Sequence, residues 1–213
     1  MEKETVSDKE LFYQSAVKGA GVNLFLVITN IVMFAICLLF GEQILEWGEL
    51  DTARIVGLGE YYRLISSAFL HANLIHLGSN MLILLYVGAI VERSIGHIRY
   101  LVLYMLCALG GSLLSVYYDI CAGTVRYSVG ASGAVFGIMG CLLAITLVNR
   151  KRLRKGSTFL RRLGFITIYS LFMGFSDSGT NNVAHIGGFI TGIIIAAIYS
   201  IAFGSKIKIN ELN

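Results

Sequence analysis

Proline does not occur in this chain of 213 residues, and charged residues supply only 14% of it, where a soluble domain carries about a quarter. The first absence means that no helix bend can be traced to proline, so irregular and close-packed backbone falls to the 24 glycines. The second, together with 56% hydrophobic residues and a mean hydropathy of +0.73, places the chain in a bilayer.

Further absences narrow the function. Cys37, Cys107, Cys121 and Cys141 show no CxxC spacing and three of them fall inside apolar runs, so neither a disulfide framework nor a zinc site is implied. No HExxH occurs, His97 falls in a predicted cytoplasmic loop, and no carboxylate accompanies the other histidines at membrane depth. Metal binding by His71, His76, His97 and His185 is therefore disfavoured, and no cofactor is implied. No internal repeat or buried charge marks a transport path, which argues against a small transporter or channel. The mixed-charge leader does not resemble a cleavable signal, and the first apolar run is expected to stay as a spanning helix.

Six apolar runs approach the ~20 residues that cross the hydrocarbon core as a helix: 22–40, 73–91, 99–118, 132–149, 163–175 and 184–204. The fifth is short and runs into the polar SDSGTNN of 176–182. The expected fold is all-α, a polytopic bundle of six transmembrane helices in one domain (22–204), between a short leader (1–21) and a tail (205–213). Fourteen of the 17 Lys and Arg fall in alternate segments, leaving only Arg54, Arg63 and Arg126 on the other side. The positive-inside rule then predicts both termini in the cytoplasm, with the plasma membrane as the expected location. That topology also explains the basic NRKRLRK at 149–155, so no nucleic-acid partner is implied; contact with membrane lipids is expected.

The connection 41–71 is rich in large apolar, aromatic and acidic residues, and Trp47, Tyr61 and Tyr62 suit a lipid–water interface. It reads as a structured, partly embedded loop, although composition alone fits a sticky linker equally well.

Polar side chains inside spans are costly and direct attention to four residues. His76 and Asn80 are four apart, within about 40° on one helix face. Ser132 opens the fourth span in VGASGAVFGIMG, with Gly130 and Gly133 around it and Phe136 about 40° round the helix. His185 precedes Gly188 and Gly192, a GxxxG pair that lets helix backbones touch. Taken singly, each has an ordinary packing role. Together they offer a serine, a histidine able to take its proton, and two donors for an oxyanion, with no acidic third member, so a Ser132–His185 dyad is the economical reading. His71 lies outside that register and is expected to hydrogen-bond within its loop.

HANLIHLGSN (71–80), GASG (130–133) and AHIGGFITG (184–192) match the HxxxxHxxxN, GxSG and AHxxGxxxG patterns, and the chain from about residue 23 to 204 resembles the rhomboid family of intramembrane serine proteases. YYR (61–63) and VER (91–93) resemble the family's aromatic-Arg and Glu-Arg elements, with Tyr62 where tryptophan is usual. The resemblance implies Ser132 as nucleophile and His185 as general base. It implies an oxyanion hole of His76, Asn80 and the Ser132 amide, and Phe136 packed under the imidazole in place of a tyrosine. Arg63 and Glu92 would anchor the first loop and the end of the second helix. The implied reaction cleaves transmembrane segments of other membrane proteins, at sites with helix-weakening residues and a small side chain before the cut. The alternative is a non-catalytic rhomboid-like protein that binds membrane clients. Oligomeric state is not encoded in any of these features.

Overall fold

The computed structural model describes residues 17–149, 164–165, 168–169 and 180–203. Helix α1 is Gly21–Phe40. The following connection folds into α2 (Glu42–Gly48), strand β1 (Leu50–Asp51), α3 (Thr52–Leu58) and α4 (Arg63–Ser66), which continues as a 3₁₀ turn, Ser67–Phe69. Then come α5 (Leu74–Ile95), α6 (His97–Ala122), strand β2 (Tyr127–Ser128), α7 (Ser132–Val148) and α8 (Asn182–Phe203). The leader up to residue 16, nearly all of the expected fifth span (163–175) and the tail from 204 lie outside the described residues.

Four of these helices, α1, α5, α6 and α8, are long and apolar enough to cross a membrane. Their outer faces carry large apolar side chains, among them Leu39, Ile75, Ile98 and Ile201, the surface that lipid rather than water covers. Helix α7 differs. Every residue from Gly133 to Leu142 is buried, as expected of a helix that is apolar all round and sits inside a bundle. Its 17 residues span only about 25 Å, short of the ~30 Å hydrocarbon core. It packs chiefly against α8 and α6, and the core around it includes Leu103, Tyr104, Cys107, Ile138 and Met139.

The second span proves longer than the apolar run 73–91, because α5 continues through Glu92 to Ile95. Glu92 is fully buried, and its carboxylate accepts the amides of Val22 (3.0 Å) and Asn23 (2.6 Å) at the start of α1. An anion there satisfies two otherwise orphaned N–H groups and complements the positive end of the helix dipole. His97 also bonds Glu92 through Nδ1. Rather than lying in a loop, His97 is the first residue of α6, because α5 and α6 are joined by Gly96 alone, at φ +92°. Such a positive φ favours glycine and turns the chain in one residue.

Within α5, residues Leu84–Gly88 form a π turn, which displaces a carbonyl from the regular ladder. Asn23 meets it: Nδ2 donates to the Leu84 carbonyl (2.8 Å), while Oδ1 accepts from the Tyr100 hydroxyl (2.6 Å). A buried amide so satisfied links α1, α5 and α6 at little desolvation cost.

The connection between α1 and α5 is structured throughout. Arg63, 1% exposed, donates from Nε to Glu60 (2.6 Å) and from Nη1 to the carbonyls of Glu46 (2.8 Å) and Glu49 (3.0 Å). One guanidinium thereby gathers α2, the turn after it and the turn before α4. The Arg63 hydrogen bond holds the Glu60 carboxyl below its ordinary pKa. Trp47 and Tyr62 stack at 5.0 Å on the surface. Strand β1 pairs antiparallel with β2, Leu50 opposite Ser128 and Asp51 opposite Tyr127, a short sheet that tethers the connection to the segment leading into Ser132.

Candidate active site

Ser132 is the first residue of α7, and what precedes it sets its position. Buried Asp119, near the end of α6, accepts from Thr52 (2.9 Å), Thr124 (3.2 Å) and Arg126 (2.6 Å). This binds α3 and the β2 approach to α6. Gly130 then donates its amide to the Ser67 carbonyl (2.9 Å) and takes φ +139°, a conformation that L side chains rarely adopt. A Cβ at Gly130 would also lie 2.6 Å from His76 Cε1 and 2.7 Å from Nε2. The glycine is therefore what lets the His76 ring lie over the backbone beside Ser132.

Helices α7 and α8 meet at their glycines. A Cβ on Gly188 would strike the Gly133 carbonyl, and one on Gly192 the Gly137 carbonyl. With backbones in direct contact, His185 Nε2 reaches Ser132 Oγ at 2.7 Å, the distance of a well-formed hydrogen bond. The Phe136 ring stacks on the imidazole, with centroids 4.4 Å apart and planes 16° from parallel. On the other edge of the ring, Nδ1 lies 3.2 Å from Asn182 Oδ1.

On the α5 side, Asn73 caps its helix by accepting the His76 amide (2.8 Å). Asn80 is buried and donates from Nδ2 to His71 Nε2 (3.2 Å). That leaves the second N–H of the carboxamide for another acceptor. His71 is 1% exposed, stands edge-on to His76 with centroids 5.2 Å apart, and brings Nε2 to 3.5 Å from the Ala131 amide. Burial, and secondarily His76, pull its imidazole pKa down to about 3. It is thus uncharged near neutral pH, with Nε2 accepting and the proton on Nδ1.

The structure therefore gathers Ser132, His185, Phe136, His76, Asn80, Gly130 and Gly133 around the start of α7, with Gly188 and Gly192 forming the seam that closes it. Arg63 and Glu92 do not join them. Arg63 organises the connection, and Glu92 lies 16 residues beyond His76 on α5, about 24 Å along the helix.

Two residues of this neighbourhood escaped sequence reasoning. His71 bonds across to Asn80 instead of within its own loop, and Asn182 joins the imidazole. The signal for Asn182 was present: on a helix, positions three apart are neighbours on one face. It was obscured because the polar SDSGTNN read as a loop.

Comparison with known proteins gives the same outline. The model of the Rhomboid domain matches residues 58–202. The rhomboid protease GluP of Bacillus subtilis is 36% identical over 174 residues, covering 78% of this chain and 32% of that protein. RHOMBOID-like protein 1 of Arabidopsis thaliana is 36% identical over 156 residues, 73% of this chain and 39% of the relative. Rhomboid-like protease 1 of Toxoplasma gondii is 29% identical over 154 residues, 71% and 52% respectively. The chain thus spans between a third and a half of the length of these relatives. With apolar helices long enough to span, the three matched sequence patterns brought to one place and a domain match over most of its length, this integral, multi-pass membrane protein belongs to the rhomboid family.

Proposed function

We propose that the protein is an intramembrane serine endopeptidase acting through a Ser132–His185 dyad on transmembrane segments of other proteins. The observation that carries this reading is the 2.7 Å contact between Ser132 Oγ and His185 Nε2. A serine hydroxyl is a weak nucleophile until a base takes its proton, and an imidazole nitrogen at hydrogen-bond distance is that base.

In the mechanism, Ser132 Oγ attacks the carbonyl carbon as its proton passes to His185 Nε2. The tetrahedral oxyanion is met by the Ser132 amide, a first-turn N–H with no partner within its helix, and by the side chains of His76 and Asn80. His185 then returns the proton to the leaving amine. A water deprotonated by the same nitrogen attacks the acyl-enzyme, and Ser132 is regenerated. The shortness of α7, about 25 Å against a hydrocarbon core of ~30 Å, supports a Ser132 that lies below one membrane surface, within reach of the end of a substrate helix.

A fluorophosphonate tests the nucleophile directly. Detergent-solubilised wild type is expected to be labelled, with Ser132→Ala unlabelled and His185→Ala strongly reduced; equal labelling of all three overturns the reading. We also propose that both termini face the cytoplasm and that the Ser132 end of the bundle faces outward, because the basic residues concentrate on the other side. A reporter fused after Asn213 is expected to read cytoplasm, and an extracytoplasmic reading would invert this orientation.

A further inference from the structure

A histidine base works only while its Nε2 is unprotonated and aimed at the nucleophile, so something has to hold the proton on the other nitrogen. We infer that Asn182 is the positioning residue for His185, completing a Ser132–His185–Asn182 relay; this rests on the protease reading above. His185 Nδ1–H donates to Asn182 Oδ1 (3.2 Å), which leaves Nε2 free to accept from the Ser132 hydroxyl (2.7 Å).

The local sequence supplies two adjacent asparagines with divided tasks. Asn181 caps the helix: Oδ1 accepts the Ala184 amide (3.1 Å), and Nδ2 donates to Ser115 (2.7 Å) and Ser128 (3.0 Å). Its carbonyl also accepts the His185 amide (3.2 Å). With capping done by its neighbour, the Asn182 side chain is left for the imidazole one turn on, where residues three apart face each other. Asn182 is 8% exposed and His185 7%, so water competes little for Nδ1. Phe136 against the ring face restricts tilting, while Asn182 at the ring edge selects the tautomer. The two constraints act on different degrees of freedom. A neutral acceptor is sufficient, in keeping with the lack of an acidic partner for His185 among the described residues: the carboxamide selects the tautomer without placing a second charge at membrane depth.

The full chain in detergent, assayed on a fluorogenic transmembrane peptide, tests the assignment. Asn182→Leu keeps the volume and removes the acceptor; kcat is expected to fall at least ~10²-fold, the scale of a general base's contribution, with KM unchanged. Asn182→Asp restores an acceptor oxygen and is expected to stay within about tenfold of wild type, a smaller loss than the full general-base contribution. A leucine variant with wild-type kcat, or an aspartate variant as impaired as leucine, overturns the inference. Nitrogen-15 NMR of histidine-labelled wild type reads the tautomer without turnover: His185 is expected to carry its proton on Nδ1, and a proton on Nε2 overturns the assignment. If wild type neither cleaves nor takes up fluorophosphonate, the protease reading fails, whereas a ring protonated on Nδ1 still upholds Asn182 as its orienting partner.

Discussion

Ser132→Ala and His185→Ala are each expected to lower kcat/KM on a transmembrane peptide by at least ~10³-fold, and the double variant by no more than a few-fold further. On the protease reading the two side chains act as one unit. The imidazole has no proton to take once the hydroxyl is gone, and the hydroxyl is not a competent nucleophile once the imidazole is gone. Independent contributions would multiply, to ~10⁶-fold for the pair, whereas groups acting as a unit are grossly non-additive. Whatever turnover survives should come from the Ser132-end donors and from substrate binding, which neither substitution removes. Measured single-turnover rates for the four proteins decide the matter. A double variant worse than either single by a further ~10³-fold would show that the 2.7 Å contact is not the reacting pair.

Much of this architecture could be read from the sequence because lipid makes the code simple. A segment in hydrocarbon must satisfy its own backbone, so a long apolar run is expected to be a helix; among the described residues the structure places α1, α6, α7 and α8 within a few residues of runs 22–40, 99–118, 132–149 and 184–204, while run 163–175 falls almost entirely outside them. The polar residues His76, Asn80, Ser132 and His185 stood out for the same reason. What stayed hidden depends on contacts between segments far apart in the chain. Nothing in LLYVG announces a π turn, whose displaced carbonyl is satisfied by Asn23, 61 positions away. The β1–β2 pairing joins two-residue strands separated by more than 70 positions, too short to show any alternation. Asn23 and Asn30 sit in the first apolar run without a motif to mark them, yet both are buried; Asn30 bonds the Leu26 carbonyl at 2.8 Å and approaches the Tyr104 hydroxyl at 3.4 Å. Asn182 lay in a segment whose polarity resembled a loop, because its hydrogen-bonding role is visible only once α8 is known to begin there.

The seam between α7 and α8 gives the second large effect. Gly188→Val is expected to reduce cleavage by ~10²-fold or more, while Gly57→Ala is expected to leave it unchanged and to raise stability by up to ~1 kcal/mol. Both sites are helical glycines, and intrinsic propensity favours replacing both. Their surroundings decide the sign. Around Gly57 nothing lies within 4 Å of an added Cβ, so alanine removes unfolded-state freedom and meets no neighbour. At Gly188 the new Cβ would run into the Gly133 carbonyl, a backbone group that cannot rotate away, and Gly192 meets Gly137 one turn further on. The helices must separate, losing close backbone contact in a setting where packing rather than water drives helix association. Separation acts on chemistry because Gly133 adjoins Ser132 and Gly188 lies one turn from His185. A displacement of about 1 Å there lengthens the nucleophile–base contact and costs on the order of 10² in rate. Thermal unfolding and cleavage measured on the same preparations separate the two consequences: activity lost well beyond the fraction unfolded shows that the glycines set the distance between base and nucleophile, whereas an active Gly188→Val protein would show that the seam tolerates a side chain and that another contact fixes that distance.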